Sequence, residues 1–402
     1  MRPSFPAQEC RSFASCPQKN VAREQQIAVF GAAGSGKTVL LSSFYGAAVE
    51  RQISGTDRFD VLAEDAGQRT SLYQNYLGMK KSGLVPIQTR YDNPSYAFAV
   101  SKRKGTQARS GQAAQDLRLV WHDYPGEWFE REPRDADEAR RRTDTFRTLL
   151  TADVAVLLVD GQRLLDNAGE EERYLKALLN SFGTALQSLR ADLLDDGKPL
   201  VTFPRIWLLA LSKSDLLPDM DALELRELVL EKVGGEVNEF RSILRSFIEA
   251  PDALSFGDDF VLLSSAKFEP GKIEVATRVG LDLLLPIAAM LPFSRYVRWA
   301  LVKRKGSEVA LHLVRNAAPL AVLLNKIKLP GVLVKLGGPI AALVALLGPN
   351  LAKIALDLAE GKAQDFYDEA AKNHDFVAST LAGFQLDLDH GVEKKVLLRS
   401  PE

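Results

Sequence analysis

The chain has 402 residues, long enough for one substantial domain and a further module. Its 51 basic and 52 acidic side chains leave a formal charge of -1, which argues against a broad electrostatic surface for nucleic acid. Its 2 cysteines, Cys10 and Cys16, have no His or Cys neighbours at metal spacing, so a disulfide framework and a zinc site are excluded and a reducing, cytoplasmic setting is expected.

Residues 1–24 are polar, with scattered Arg, Pro and Ser and no apolar run, and read as a flexible leader rather than a secretory signal. A short apolar strand is expected at 26–30, ending on a glycine loop, with helical spacing from Val39 onward. The polar stretch 50–90 reads as helix mixed with loop. Residues 96–100 and 117–121 then read as a hairpin around a basic, Gly-containing connection. A charged loop and helix start follow at 123–142. Buried strands are expected at 154–159, 206–211 and 260–263, alternating with helical segments at 170–194, 222–250 and 279–291. Apolar strands alternating with helices predict an α/β domain over 25–295, built on a mostly parallel sheet covered on both faces.

From residue 296 the character changes, and 296–402 is expected to form a helical C-terminal module. Its 317–358 region is the most apolar of the chain, densest over 330–347, with Lys335 and Pro339 inside that stretch. Both a buried helical pair and an interfacial contact with a membrane surface fit this pattern.

Gly31-Ala32-Ala33-Gly34-Ser35-Gly36-Lys37-Thr38 fits G-x-x-x-x-G-K-[ST] between a strand and a helix. Glycines there let successive N–H groups converge on phosphate oxygens at a helix N-terminus. Lys37 would set a positive charge on the outer phosphates, and Thr38 would offer a hydroxyl to Mg²⁺. Asp123-Tyr124-Pro125-Gly126 closes a strand, where Asp123 can serve Mg²⁺ and the Gly126 N–H can contact the terminal phosphate. Ser212-Lys213-Ser214-Asp215 closes the next buried strand but one. The Asp215 carboxylate can accept from the N1–H and exocyclic amine of guanine, and Lys213 would lie along the base and brace the loop. Ser264-Ser265-Ala266-Lys267 ends a later strand, with Ser265, Ala266 and Lys267 placed to meet the base through backbone N–H.

Taken in order, GAAGSGKT, DYPG, SKSD and SSAK resemble the G1, G3, G4 and G5 motifs of Ras-like TRAFAC-class P-loop GTPases. DYPGEW is similar to bacterial YcjX-like and double-GTPase-type members. The resemblance implies a G domain whose sheet has one antiparallel edge strand, with GTP/GDP and Mg²⁺ as ligands. It also implies a GTP-hydrolysing switch that works with a protein effector or activator. Two departures stand out: Ser212 takes the place of the usual Asn or Thr, and Glu127 follows Gly126 where the family has Gln. Glu127 is either the residue that orients the attacking water or a solvated charge. Thr89 is the candidate for closing over the metal, with Thr70 as fallback, and Arg90 beside it reads as a surface arginine rather than an internal arginine finger. His122 reads as packing, and the Arg140-Arg141-Arg142 run as a solvated helix face. An ATP-hydrolysing protein of the same fold and a nucleotide-binding scaffold without turnover remain open alternatives.

Overall fold

A computed structural model describes residues 24–54, 59–86, 95–102, 117–129, 131–269, 272–302 and 376–400. Residues 1–23 of the leader, Thr89, Arg90 and the apolar 317–358 region lie outside the described residues, and Glu24, placed in the leader, opens the first strand. The strands are β1 (Glu24–Phe30), β2 (Phe59–Ala63), β3 (Ser95–Lys102), β4 (Leu117–His122), β5 (Val154–Asp160), β6 (Ile206–Ser212), β7 (Ser255–Leu263), β8 (Lys267–Glu269), β9 (Lys272–Glu274) and β10 (Leu397–Leu398). The helices are α1 (Lys37–Ser54), α2 (Ala66–Ser82), α3 (Ala136–Leu149), α4 (Gly161–Asp166), α5 (Glu171–Ser188), α6 (Arg190–Leu193), α7 (Ala222–Arg245), α8 (Leu284–Ala289), α9 (Leu291–Val302) and α10 (Phe376–Glu393).

Eight strands form one sheet in the order β10-β7-β6-β5-β1-β4-β3-β2, and β8 and β9 form a separate hairpin. The central strands β4, β1, β5, β6 and β7 run parallel. β5 and β6 are buried along their whole length, which is why their sequences VAVLLVD and IWLLALS are nearly continuous apolar runs rather than alternating ones. Along β1 the alternation of a strand splits the side chains between two cores. Ile27 and Val29 face a core shared with α1, α8, α9 and α10. Ala28 and Phe30 face a second core shared with α3, α5 and α7. In that second core Phe30 stacks on Trp207 at 5.1 Å between ring centroids.

The expected antiparallel strand is β3, which pairs with β4 in opposite direction. It is not outermost, because β2 pairs antiparallel with its far side. β10 adds another antiparallel pairing on the opposite edge, against β7. The stretch 50–90 thus contains a strand as well as a helix. α2 is bounded by an Asp65 side-chain cap on the Gln68 N–H and by Gly83 in the left-handed conformation. The helical reading of 279–291 also divides, into a 3₁₀ turn at Leu281–Leu283 and the helices α8 and α9. Among the described residues no helix is long and apolar enough to cross a membrane.

Candidate nucleotide site

β1 delivers the chain into the glycine loop, and α1 takes it up at Lys37. Gly34 and Gly36 hold φ of 78° and 92°, a region in which a Cβ is strained. Gly31 is closely packed instead: a Cβ there would sit 2.5 Å from the Ser35 Oγ, which would have to turn away, and 3.1 Å from the Leu158 Cβ. The Ser35 N–H closes the turn onto the Ala32 carbonyl at 3.2 Å. Lys37 is only 7 % exposed, and its Nζ donates to the carbonyls of Gly31 at 2.7 Å and Ala32 at 3.1 Å. Its ammonium also lies 5.1 Å from the centroid of the Tyr124 ring. The lysine therefore spans the loop from within, and Thr38 follows it in the first turn of α1.

β4 ends at His122, and Tyr124 and Gly126 just beyond it contact this loop. The Asp123 Oδ1 accepts from the Tyr124 N–H at 2.8 Å. Burial pushes the Asp123 carboxyl above the usual carboxylate range, while the Lys37 charge and the Tyr124 N–H act against that. The Tyr124 hydroxyl accepts from the Gly31 N–H at 2.7 Å and donates to the Gly31 carbonyl at 3.1 Å. Gly126 lies directly on the loop backbone, since a Cβ on it would come within 2.5 Å of Ala32 C and Ala33 N. Glu127 is half-buried in the 3₁₀ turn Gly126–Phe129.

The Arg140-Arg141-Arg142 run is not a wholly solvated face. Arg142 is 7 % exposed and donates to the carbonyls of Trp128, Arg131 and Glu132 and to the Glu138 carboxylate. It staples down the segment that follows Gly126. His122, read as packing, is buried between the Ser95 hydroxyl and Gln26, and burial lowers its pKa to about 4.

The far end of the site is built at the ends of β6 and β7. Lys213 sits in the left-handed region at φ 54°. Its Nζ donates to the Asp160 Oδ2 at 2.8 Å, which braces the loop against β5, and the residue also lines the cavity of the site. The Asp215 carboxylate is fixed on both oxygens. Oδ1 accepts from the Ser264 hydroxyl at 2.7 Å, and Oδ2 accepts from the Phe268 N–H at 3.2 Å. Ser212 and Ser265 are buried beside it. Ala266 is buried against a small cluster that includes Tyr76 and Met79 of α2, while Lys267 pairs with Glu269 on the β8–β9 hairpin.

A cavity of about 340 Å³ joins the two ends. Gly34, Ser35 and Gly36 from the glycine loop line it, as do Ser212, Lys213, Asp215, Ser265 and Phe268 from the loops after β6 and β7, together with Val85 and Gln162. Lys37, Thr38, Asp123 and Gly126 are not among the residues that line this cavity. Thr70 does not reach it either, because it is exposed on α2 and its hydroxyl donates back to the Ala66 carbonyl. Sequence reading missed Tyr124's hydroxyl, Arg163, Asp160, Val85 and Phe268. Arg163 donates to the Ala33 carbonyl at 3.2 Å.

No group of three or more His, Cys, Asp or Glu side chains suited to a metal occurs among the described residues. Mg²⁺ does not require one, since it is held by one or two protein oxygens together with waters and phosphates. Asp123, whose carboxyl feels the Lys37 charge, and Thr38 in the first turn of α1 are oxygen donors of the kind Mg²⁺ takes.

A strand, a glycine loop and a helix, with the loops after β6 and β7 around one cavity, have the arrangement of a P-loop protein, and the family match makes it a GTP-binding one. The chain belongs to the Double-GTPase 2 family, whose model matches residues 25–250. No curated protein matches the sequence. Among solved structures it is similar to one described as nucleolar GTP-binding protein 1 from Plasmodium falciparum, at 13% identity and a TM-score of 0.28. That alignment covers 77% of this chain and 96% of the other. It is also similar to a bacterial dynamin pair described as tethering membranes, at 15% identity and a TM-score of 0.24. There it covers 93% of this chain and spans 59% of the other. At these scores neither similarity bears on what this chain does.

Proposed function

We propose that this protein binds GTP with Mg²⁺, hydrolyses it to GDP, and acts as a nucleotide-dependent switch for a protein effector. The observation that carries the reading is the single cavity with the phosphate loop at one end and the fixed Asp215 carboxylate at the other. A carboxylate offers about four acceptor positions. Ser264 and Phe268 take two of them, and the guanine N1–H and amine would take the others. Adenine lacks that donor pair and would leave the carboxylate short of partners.

At the other end the loop N–H groups from Gly31 to Thr38 would hold the phosphates, and Lys37 would stabilise the charge that develops on them. Thr38 and Asp123 would hold the metal, which supplies charge neutralisation between the outer phosphates, and Thr89 would close over it. Gly126 would read the terminal phosphate through its N–H. Glu127 would accept a hydrogen bond from the attacking water, and Ser265, Ala266 and Lys267 would meet the base edge.

Calorimetric titration and single-turnover hydrolysis test this reading. GTP is expected to bind tighter than ATP by on the order of 100-fold or more, a preference that Asp215→Ala removes. Lys37→Ala is expected to abolish hydrolysis, and Glu127→Ala to slow it without weakening GTP binding. Equal affinity for the two nucleotides would point instead to an ATPase. Tight GTP binding with no turnover would leave a scaffold.

A further inference from the structure

Four consecutive residues outside every recognised motif touch both ends of the cavity. Asp160 closes β5, is 2 % exposed, and takes the Lys213 ammonium of the base loop on its Oδ2. Its other oxygen accepts from the Gln162 N–H, which starts α4. Gly161 lies against the same base loop, where a Cβ would come within 2.8 Å of the Ser212 carbonyl oxygen and 2.9 Å of that of Lys213. Gln162 lines the cavity, and Arg163 donates to the Ala33 carbonyl of the phosphate loop at 3.2 Å.

In a trans peptide the carbonyl and the following N–H point in opposite directions. Fixing the Ala33 carbonyl on Arg163 therefore turns the Gly34 N–H away from the guanidinium. Gly34 is also a residue that lines the cavity. The cation further polarises that peptide and strengthens its N–H as a donor to an anion.

We propose that residues 160–163 brace the base loop against the phosphate loop, and that Arg163 is a positioning residue that aims the Gly34 N–H at a nucleotide phosphate. This rests on the nucleotide reading above and adds to it a residue that touches no nucleotide. Arg163 would govern the phosphate end alone, whereas Asp160 would govern the base end through Lys213.

The test compares guanosine, which has no phosphate, with GDP on the full chain. Arg163→Ala is expected to weaken GDP binding about tenfold, the loss of one charge-assisted hydrogen bond, with guanosine affinity unchanged. Arg163→Lys keeps the charge and should recover part of the loss. Asp160→Asn should weaken guanosine and GDP alike. A folded Arg163→Ala protein that binds GDP as the unaltered protein does, or that loses both ligands equally, overturns the proposal. Should Arg163→Ala fail to fold, Arg163→Gln is read by the same two affinities and decides in the same way. Failure of the unaltered protein to bind GDP at all would instead sink the nucleotide reading on which this one stands.

Discussion

Gly126 and Ala33 meet backbone to backbone across a sequence gap of more than ninety residues, and that contact leaves no room for a methyl group. Gly126→Ala would have to push the segment after Asp123 off the phosphate loop, moving Tyr124 away from Gly31 at the same time. The expected outcome is a cost of roughly 1–3 kcal/mol, as for overpacking elsewhere, together with weaker GTP binding. Thermal unfolding and a GTP titration of the variant measure both; an unshifted melting point would contradict the contact. The glycine loop was legible at this scale because its chemistry is local, with spacing alone placing Gly34, Gly36 and Lys37. Tyr124 and Arg163 were not, because their partners Gly31 and Ala33 lie far away in sequence and only the fold brings them close. Arg142 looked like part of a surface run for a different reason: the carbonyls it holds belong to the turn just before its helix, which has no periodicity to announce the contact.

Elements were easiest to read where one face or both were consistently apolar, as in β5 and β6. β2 escaped because FDVLA is short and keeps Leu62 exposed at the sheet edge, so its pattern is half that of a buried strand. α7 is defined by its start: Asp221 accepts from the Leu223 and Glu224 N–H groups, and the Glu224 carboxylate accepts from the Asp221 N–H. The Glu224 N–H, and then Lys395, hold the Asp221 carboxyl below the usual carboxylate range. A depressed carboxylate contributes its stability above its unfolded-state pKa of about 3.9 and loses it as pH falls through the folded value. Asp221→Ala should therefore cost about 1 kcal/mol at neutral pH, and the gap from the unaltered protein should narrow in acid below about pH 4. Urea unfolding at several pH values reads this out, and a gap independent of pH would argue against the cap.

At the scale of the whole molecule the described C-terminal residues return to the sheet. Leu397 and Leu398 pair with Val261 and Phe260, the Lys395 carbonyl accepts from the Ala222 N–H, and the Ser400 N–H donates to Asp259. This closure was hidden in the sequence because a two-residue strand carries no periodicity. It also ties the end of the chain to β7, the strand that leads into Ser264 and Ser265. Leu397 is buried, and Leu397→Ala should cost roughly 2–4 kcal/mol and lower the melting temperature of the whole domain by several degrees. A melting curve in which the main transition does not move would show that β10 is not part of the cooperative unit.

The two helices that flank residues 303–375, α9 on one side and α10 on the other, both bury side chains in the core that also contains α8. Tyr296 and Trp299 enter it from one side, Phe384 and Leu388 from the other. The intervening segment is therefore anchored to the same face at both of its ends. With both flanking helices packed in one core, a change in the length of the chain between them is expected to leave the sheet intact, which a shortened variant's melting curve would test. A partner bound between those two anchors would be held beside the sheet at the high local concentration of a tethered pair, not left to chance encounter.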